Sequence, residues 1–310
     1  MPRSREARLG TDRRRTEQRN PASENLDRLS SGAIVRLMSR EDRKVARAVA
    51  RELPAIARAV DAIVRALAKG GRLFYVGAGS SGRMGVLDAA EIAPTYGTSP
   101  QLVQALIAGG RRAVTSAVEG AEDAVRNGER DLRARKLTAK DVVVGIAASG
   151  TTPYVLGALR YARRRGAAAV IAVTSNRRMP VTRLADVVIA PEVGPEVVTG
   201  STRLKAGTSQ KMVLNMLSTA AMVRLGHVYQ NLMIDAVLTN KKLERRALRM
   251  LAEASGRSLS QGRRALRLSG HDIRVALVML KRGVAAGEAR GLLRRADGNL
   301  RRALGESAHG

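Results

Sequence analysis

Two short segments place hydroxyl groups where an apolar run gives way to a helix. Gly77-Ala78-Gly79-Ser80-Ser81-Gly82 follows one such run, and Ala148-Ser149-Gly150-Thr151-Thr152-Pro153 follows another. The first turn of a helix carries backbone N–H groups with no partner inside the helix, and nearby hydroxyls add further donors. That combination suits a phosphate. Pro153 fits the first helical position, where the missing N–H costs nothing. The first segment also satisfies G-x-G-x-x-G, a dinucleotide fingerprint. That fingerprint needs an acidic residue about 20 positions on to hold the ribose, and Thr95 to Ser116 contains neither Asp nor Glu. A phosphomonoester therefore fits better than a pyrophosphate. Ser80, Ser81, Ser149, Thr151 and Thr152 are the candidate binding residues. Either loop alone is also what an ordinary strand–helix turn with an N-cap looks like. Two of them at the carboxyl ends of parallel strands point to a sugar phosphate.

Other residues with chemical potential say less in isolation. Glu91 stands among Val86, Leu87, Ala89, Ala90 and Ile92, and reads equally as a salt-bridged carboxylate near a helix end. Glu119, Glu122 and Asp123 form an acidic group that reads as a solvated helix face. Ser201, Thr202, Lys205 and Ser209 precede or open a long helix, where helix capping is the competing role. Lys205 is the cation in that group available to an anionic substrate.

The elements that must position these residues follow from hydrophobic patterning. Apolar residues at three- and four-residue intervals from Val45 to Leu67 predict helix, interrupted at Pro54. From Gly70 to Pro191 the expected strands are Arg72–Val76, Leu102–Ile107, Val142–Ala147, Ala169–Val173 and Val187–Ala190. Helices are expected between them at about 82–93, 113–125, 153–165 and 179–185. Continuous Val/Ile/Leu strands separated by helices predict an α/β fold: a doubly wound, mainly parallel sheet covered on both faces. Further helices are expected at about 209–225 and 232–238. Three domains result: a disordered Arg-rich tail over 1–20, a sugar-phosphate domain with N-terminal helices over 21–240, and a small all-α domain of three or four short helices over 241–310.

Composition narrows the function. Lys and Arg number 55 against 27 Asp and Glu, a formal charge of +28 in 310 residues. Aromatic residues are only 2%, which leaves few platforms for stacking bases. Nine of the basic residues are lysine and the other 46 are arginine spread along the chain, a compositional bias rather than a patch, so nucleic acid is not the expected partner. No apolar run approaches the roughly 18–20 residues that span a bilayer, and the N-terminus has no signal-peptide core; the expected compartment is the cytoplasm. Without cysteine, and with His227, His271 and His309 scattered, neither a thiol nucleophile nor a zinc site is expected.

Four stretches carry a family resemblance: GAGSSGRMGVLDAAEIAPTYG (77–97), AVEGAED (117–123), VVVGIAASGTTPYV (142–155) and EVVTGSTRLKAGTSQKMVLNMLSTAAM (196–222). They resemble the N-acetylmuramic acid 6-phosphate etherases, sugar isomerase (SIS) domain proteins of peptidoglycan recycling. The likeness extends from about Thr16 to Asn240, and 292–304 is similar to the last helix of that family's ubiquitin-associated-like domain. The resemblance implies cleavage of the lactyl ether at carbon 3, giving N-acetylglucosamine 6-phosphate and D-lactate without metal or redox cofactor. It implies that Glu91 protonates the departing lactate, and that Glu122 is the second catalytic carboxylate, the base at carbon 2. Lys205 is then a partner for the phosphate or the lactyl carboxylate. Ten residues of straight helix from Ser81 to Glu91 cover about 15 Å, so either that helix breaks early or a partner subunit of a homodimer supplies Glu91. In the family the second loop commonly reads A-S-G-R-T-P-Y, and Thr151 takes the arginine's place here. The alternative is a non-catalytic sugar-phosphate-binding regulator on the same fold, which has no need of both glutamates; an aldose–ketose isomerase fits the motif context less well.

Overall fold

The computed structural model describes residues 14–235, 238 and 241–306. Two helices, α1 (Ser31–Ala50) and α2 (Leu53–Ala68), precede the sheet. Pro54 lies in the first turn of α2, where proline is tolerated, so the interruption expected there is a break between two helices. Next come β1 (Leu73–Gly77), α3 (Gly79–Tyr96), β2 (Val103–Ile107), the single turn α4 (Arg112–Thr115), α5 (Val125–Ala134), β3 (Val142–Ile146), α6 (Pro153–Arg164), β4 (Ala169–Val173), β5 (Val187–Ile189) and α7 (Lys205–Arg224).

The five strands are parallel, in the order β2-β1-β3-β4-β5. Alternate strand residues face opposite layers. Leu73, Tyr75, Val142, Val144, Ile171 and Val173 join one apolar layer with α1, α2 and α7. Phe74, Val76, Val143, Val170 and Ala172 join the other with α5 and α6. Both faces are covered, as the unbroken apolar strands required. The chain runs outward from β1 to β2 and returns to β3 on the other side of β1, so β1 and β3 flank the switch point where ligands bind in open α/β sheets.

Three expected helices come out differently. Over 113–125 the chain forms α4, a loop and a short 3-10 turn (Ala121–Asp123), because Gly120 takes a left-handed conformation that interrupts the helix. The helix that follows, α5, is an element the patterning does not predict, and it carries a glycine in its interior. A Cβ at Gly128 would lie 2.0 Å from the Tyr154 carbonyl oxygen, and one at Gly157 2.0 Å from that of Val125, so both glycines permit close approach of α5 and α6. Over 179–185 a 3-10 turn (Pro180–Arg183) stands in place of an α-helix. Of the helix expected at 232–238, positions 236 and 237 lie outside the described residues; Leu232 instead pairs with Tyr229 in a tight turn.

The expected tail over 1–20 needs correction in its last part; residues 1–13 lie outside those described. Thr16 and Asn20 are buried, and Arg15 N donates to Asn176 Oδ1 at 2.7 Å. High charge density predicted a solvated tail, but its few small polar residues find buried partners. Downstream, in place of the three or four short helices expected, the described residues form five, α8 (Lys241–Ser255), α9 (Leu259–Leu268), α10 (Ile273–Arg282), α11 (Ala286–Arg295) and α12 (Leu300–Leu304). They share an apolar cluster of their own, which also takes in Tyr229 and Ile234.

Candidate active site

The two hydroxyl loops are brought together by the sheet itself. β1 and β3 are hydrogen-bonded neighbours, with Gly77 opposite Ile146, so the segments that leave them emerge side by side. Local geometry explains the glycines of the first loop. A Cβ at Gly77 would come within 2.7 Å of Gly82 N, and one at Gly82 within 2.6 Å of an Ile107 side-chain carbon. The helix can start directly against the strand only if both positions lack side chains. Ala78 offers no side chain to cap α3, and the side chain of Thr152 does not cap α6. Two helix N-termini thus present N–H groups and positive dipole ends to one crevice.

That crevice is a cavity of about 460 Å³. Ser80 and Ser81 line it from the first loop, and Ser149, Thr151 and Thr152 from the second. All five expected hydroxyl residues therefore meet in one place. Glu122 and Asp123, on the 3-10 turn before α5, stand at the same cavity. Thr202 and Gly200 close it from the segment leading into α7, and Arg14 and Glu17 from the N-terminal segment.

The second loop is braced from behind. Gly150 holds φ +75°, and a Cβ there would strike Met179 at 2.5 Å. Thr151 Oγ1 donates to Ser149 Oγ at 3.0 Å. Thr174 Oγ1 and Asn176 Nδ2 both donate to the Ala148 carbonyl, at 3.2 and 2.9 Å. These bonds fix the loop before any ligand arrives.

Three residues of the expected site, Lys205, Ser209 and Glu91, lie elsewhere. Lys205 is 2% exposed, and its ammonium sits 2.7 Å from Glu41 Oε2. Glu41 also accepts from Lys44, and from Asn20 Nδ2 at 3.1 Å. Burial alone would push this carboxyl up; the hydrogen bonds from Lys205 and Lys44 overcome it and lower the pKa to about 2. The Lys205 charge is thus committed inside the fold, which corrects its assignment as a substrate contact. Ser209 likewise turns inward, donating to the Ala206 carbonyl at 2.7 Å.

Glu91 is exposed on α3, and its helix runs unbroken from Gly79 to Tyr96 with Pro94 in its last turns. An early break is therefore not what carries Glu91 toward the crevice; it does not line the cavity that holds Glu122. The carboxylate of α3 that turns inward is Asp88, which accepts from Tyr75 Oη at 2.9 Å and Ser218 Oγ at 3.2 Å. Burial pushes the Asp88 carboxyl up, with those two hydrogen bonds working against the rise.

Arg14 and Glu17 are the lining residues that sequence reasoning missed. Nothing in a run of arginines marks one of them as facing a pocket; the available signal was Thr16-Glu17, the start of the family-like stretch. A larger cleft of about 750 Å³ separates the end of α3 from the helical bundle. Its principal charged groups already serve each other: His227 Nδ1 lies 2.6 Å from Asp235 Oδ2, and Arg274 Nη1 donates to the same oxygen at 3.0 Å. His227 sits just past the end of α7.

Known proteins resemble this chain over most of its length. Residues 55–163 match the family model of the glucokinase regulatory protein N-terminal SIS domain, and residues 112–220 match the SIS domain model. Over 289 residues, 93% of this chain and 98% of the relative, the sequence is 54% identical to the N-acetylmuramic acid 6-phosphate etherase of Yersinia pestis (strain Pestoides F). The etherase of Yersinia pseudotuberculosis serotype O:1b matches to the same extent. Among solved structures, phosphoheptose isomerase GmhA from Neisseria gonorrhoeae has a TM-score of 0.48 at 19% identity, covering 61% of this chain and 97% of that one. A phosphoheptose isomerase from Francisella tularensis has 0.46 at 19%, covering 64% and 98%.

Proposed function

The chain belongs to the N-acetylmuramic acid 6-phosphate etherase family, and from that premise we propose how its residues perform the reaction. The enzyme is a carbon–oxygen lyase that releases D-lactate from N-acetylmuramic acid 6-phosphate and leaves N-acetylglucosamine 6-phosphate, a step of amino-sugar recycling. The observation that carries the site assignment is the convergence of two uncapped helix N-termini, five hydroxyl residues and Glu122 on one cavity at the switch point.

In this reading the phosphate rests against Ser80 and Ser81 and the hydroxyls of Ser149, Thr151 and Thr152, bound by the two helix N-termini. The hydrogen on carbon 2 is acidic only beside the ring-opened aldehyde. Glu122 removes it, the electron pair forms the carbon 2–carbon 3 double bond, and the bond from carbon 3 to the lactyl oxygen breaks. A general acid protonates that oxygen as it departs, since an unprotonated ether oxygen is a poor leaving group. Water then adds to carbon 3 and the proton returns to carbon 2. Run in D₂O, the product should carry solvent deuterium at carbon 2, whereas direct displacement at carbon 3 would leave that position unlabelled.

The acid is Glu91, and it acts from the second subunit of a homodimer. What supports this is the unbroken α3, which leaves Glu91 exposed and off the cavity of its own chain. Mixing Glu91→Gln with Glu122→Gln subunits tests it. A dimer in which the two carboxylates of one site come from different chains regains one intact site per mixed dimer, about a quarter of parental activity under random assortment. If both act within one chain, the mixture stays inactive. We assign the chain from the anchored segment at residue 14 to residue 240 to the sugar-phosphate domain, and 241–310 to an appended helical domain. We place the reaction in the cytoplasm, where the charge of a phosphorylated sugar retains it.

A further inference from the structure

The phosphate site as built from its two loops lacks a cation. Its lining includes the carboxylates of Glu17, Glu122 and Asp123, and against them, among the described residues, one positive side chain, Arg14. Hydroxyls and helix ends offer partial charges of about half a unit each, while a phosphomonoester brings nearly two negative charges. With three carboxylates already present, the donors of the loops alone leave the balance unfavourable for a dianion.

We propose that Arg14 is the cationic phosphate-reading residue of this enzyme, a specificity residue delivered by the N-terminal segment rather than by either loop. The proposal deepens the etherase reading and takes the identity of the sugar from it. Arg14 Nη1 donates to Thr151 Oγ1 at 3.4 Å, and Thr151 Oγ1 donates onward to Ser149 Oγ at 3.0 Å. The guanidinium therefore stands at the lip of the second hydroxyl loop. A guanidinium matches phosphate geometry through paired N–H groups, which an ammonium does not.

The segment is anchored so that Arg14 arrives in a fixed place. Arg15 N donates to Asn176 Oδ1 at 2.7 Å, and Asn176 Nδ2 lies 3.2 Å from Thr16 Oγ1. The same Asn176 amide donates to the Ala148 carbonyl at 2.9 Å, tying the segment to the loop it faces. Thr16 is 1% exposed, and its hydroxyl donates to Glu17 Oε1 at 2.9 Å. Farther along, Asn20 Nδ2 donates to Glu41 Oε2 and to the Pro195 carbonyl, each at 3.1 Å. One buried asparagine thus sets the spacing between Arg14 and the hydroxyls, and a second secures the segment behind it.

The test uses the full chain and three variants, with the affinity for N-acetylglucosamine 6-phosphate as readout. This product keeps the phosphate but has lost the lactyl group. Arg14→Ala should weaken its binding about 10- to 100-fold, the range for a hydrogen bond to a charged group, and raise KM for the ether substrate by a similar factor with a much smaller change in kcat. Arg14→Lys should recover part of the loss. Arg15→Ala, whose side chain is largely exposed and faces Glu192, should stay within about twofold of the parent. Binding of unphosphorylated N-acetylglucosamine should be insensitive to Arg14→Ala. The assignment is overturned if Arg14→Ala binds the sugar phosphate within twofold of the parent, or if it weakens the unphosphorylated sugar equally, which would mean loss of packing rather than of phosphate recognition. A parent chain that binds the sugar phosphate through Arg14 yet releases no lactate would defeat the etherase reading and leave the Arg14 assignment standing.

Discussion

Two polar regions lie along the N-terminal segment, and they handle charge in opposite ways. At the loop edge, hydroxyls and carboxylates face an open cavity and the ends of α3 and α6 carry no side-chain caps. Behind it, Glu41 and Glu196 are closed off. Glu41 takes Lys205, Lys44 and Asn20, while Glu196 takes the backbone N–H groups of Lys205 and Ala206 at 3.0 and 2.9 Å. The first region keeps helix-end donors in reserve for a ligand; the second spends its donors on the fold. Residue type does not separate the two. Lys205 and Arg14 are both cations near hydroxyl-rich segments, yet Lys205 is sealed among its partners while Arg14 lines the cavity.

Substitutions at the two regions should therefore move different observables. Glu122→Gln at the open edge should lower lactate release by about 10²–10⁴-fold, the range for loss of a general base, with the urea-unfolding midpoint held. In the closed region the pattern should invert. Glu41→Gln or Lys205→Met should cost about 3–5 kcal/mol of folding stability by stranding a buried charge or its partners, measurable by urea unfolding, while the folded protein keeps the parental KM. An unchanged midpoint with a raised KM in Lys205→Met would return Lys205 to the substrate.

The pH dependence of stability sharpens the same contrast. Glu41 has its folded pKa lowered to about 2 from an ordinary value near 4.5, so its contribution is present above about pH 4.5 and drains away as the pH falls toward 2. That contribution is about 3 kcal/mol. It should disappear from the acid-unfolding profile of Glu41→Gln; an unaltered profile would remove the buried pair from the account. The smallest effect is expected at Asp88, where burial raises the pKa and the hydrogen-bond partners are hydroxyls rather than cations. Asp88→Asn keeps an acceptor for one or both and removes a buried charge, so its stability should change by about 1 kcal/mol or less. A loss as large as that of Glu41→Gln would contradict the distinction.

Much of this was legible from residue order alone. Continuous Val/Ile runs marked all five strands to within a residue or so, and strand followed by glycine and hydroxyl marked both loops of the cavity. Those features are local, set by a strand's burial and a helix's first turn. What escaped depends on contacts distant in the chain. The interior glycine of α5 is explained only by α6 lying against it. Lys205 looked available until Glu41, 164 positions earlier, claimed it. Arg14 looked like one arginine among many until Asn176 held its neighbours beside Ser149 and Thr151. Glu91 entered through family likeness alone, and it stands exposed on α3, off the cavity that Glu122 lines.

The most direct measurement is D-lactate released from N-acetylmuramic acid 6-phosphate by the purified full chain, with Glu122→Gln assayed beside it at matched folded concentration. The parent should release lactate in step with N-acetylglucosamine 6-phosphate, and the variant should fall by at least about 10²-fold. No lactate from folded parent, or parental turnover by Glu122→Gln, would contradict the account.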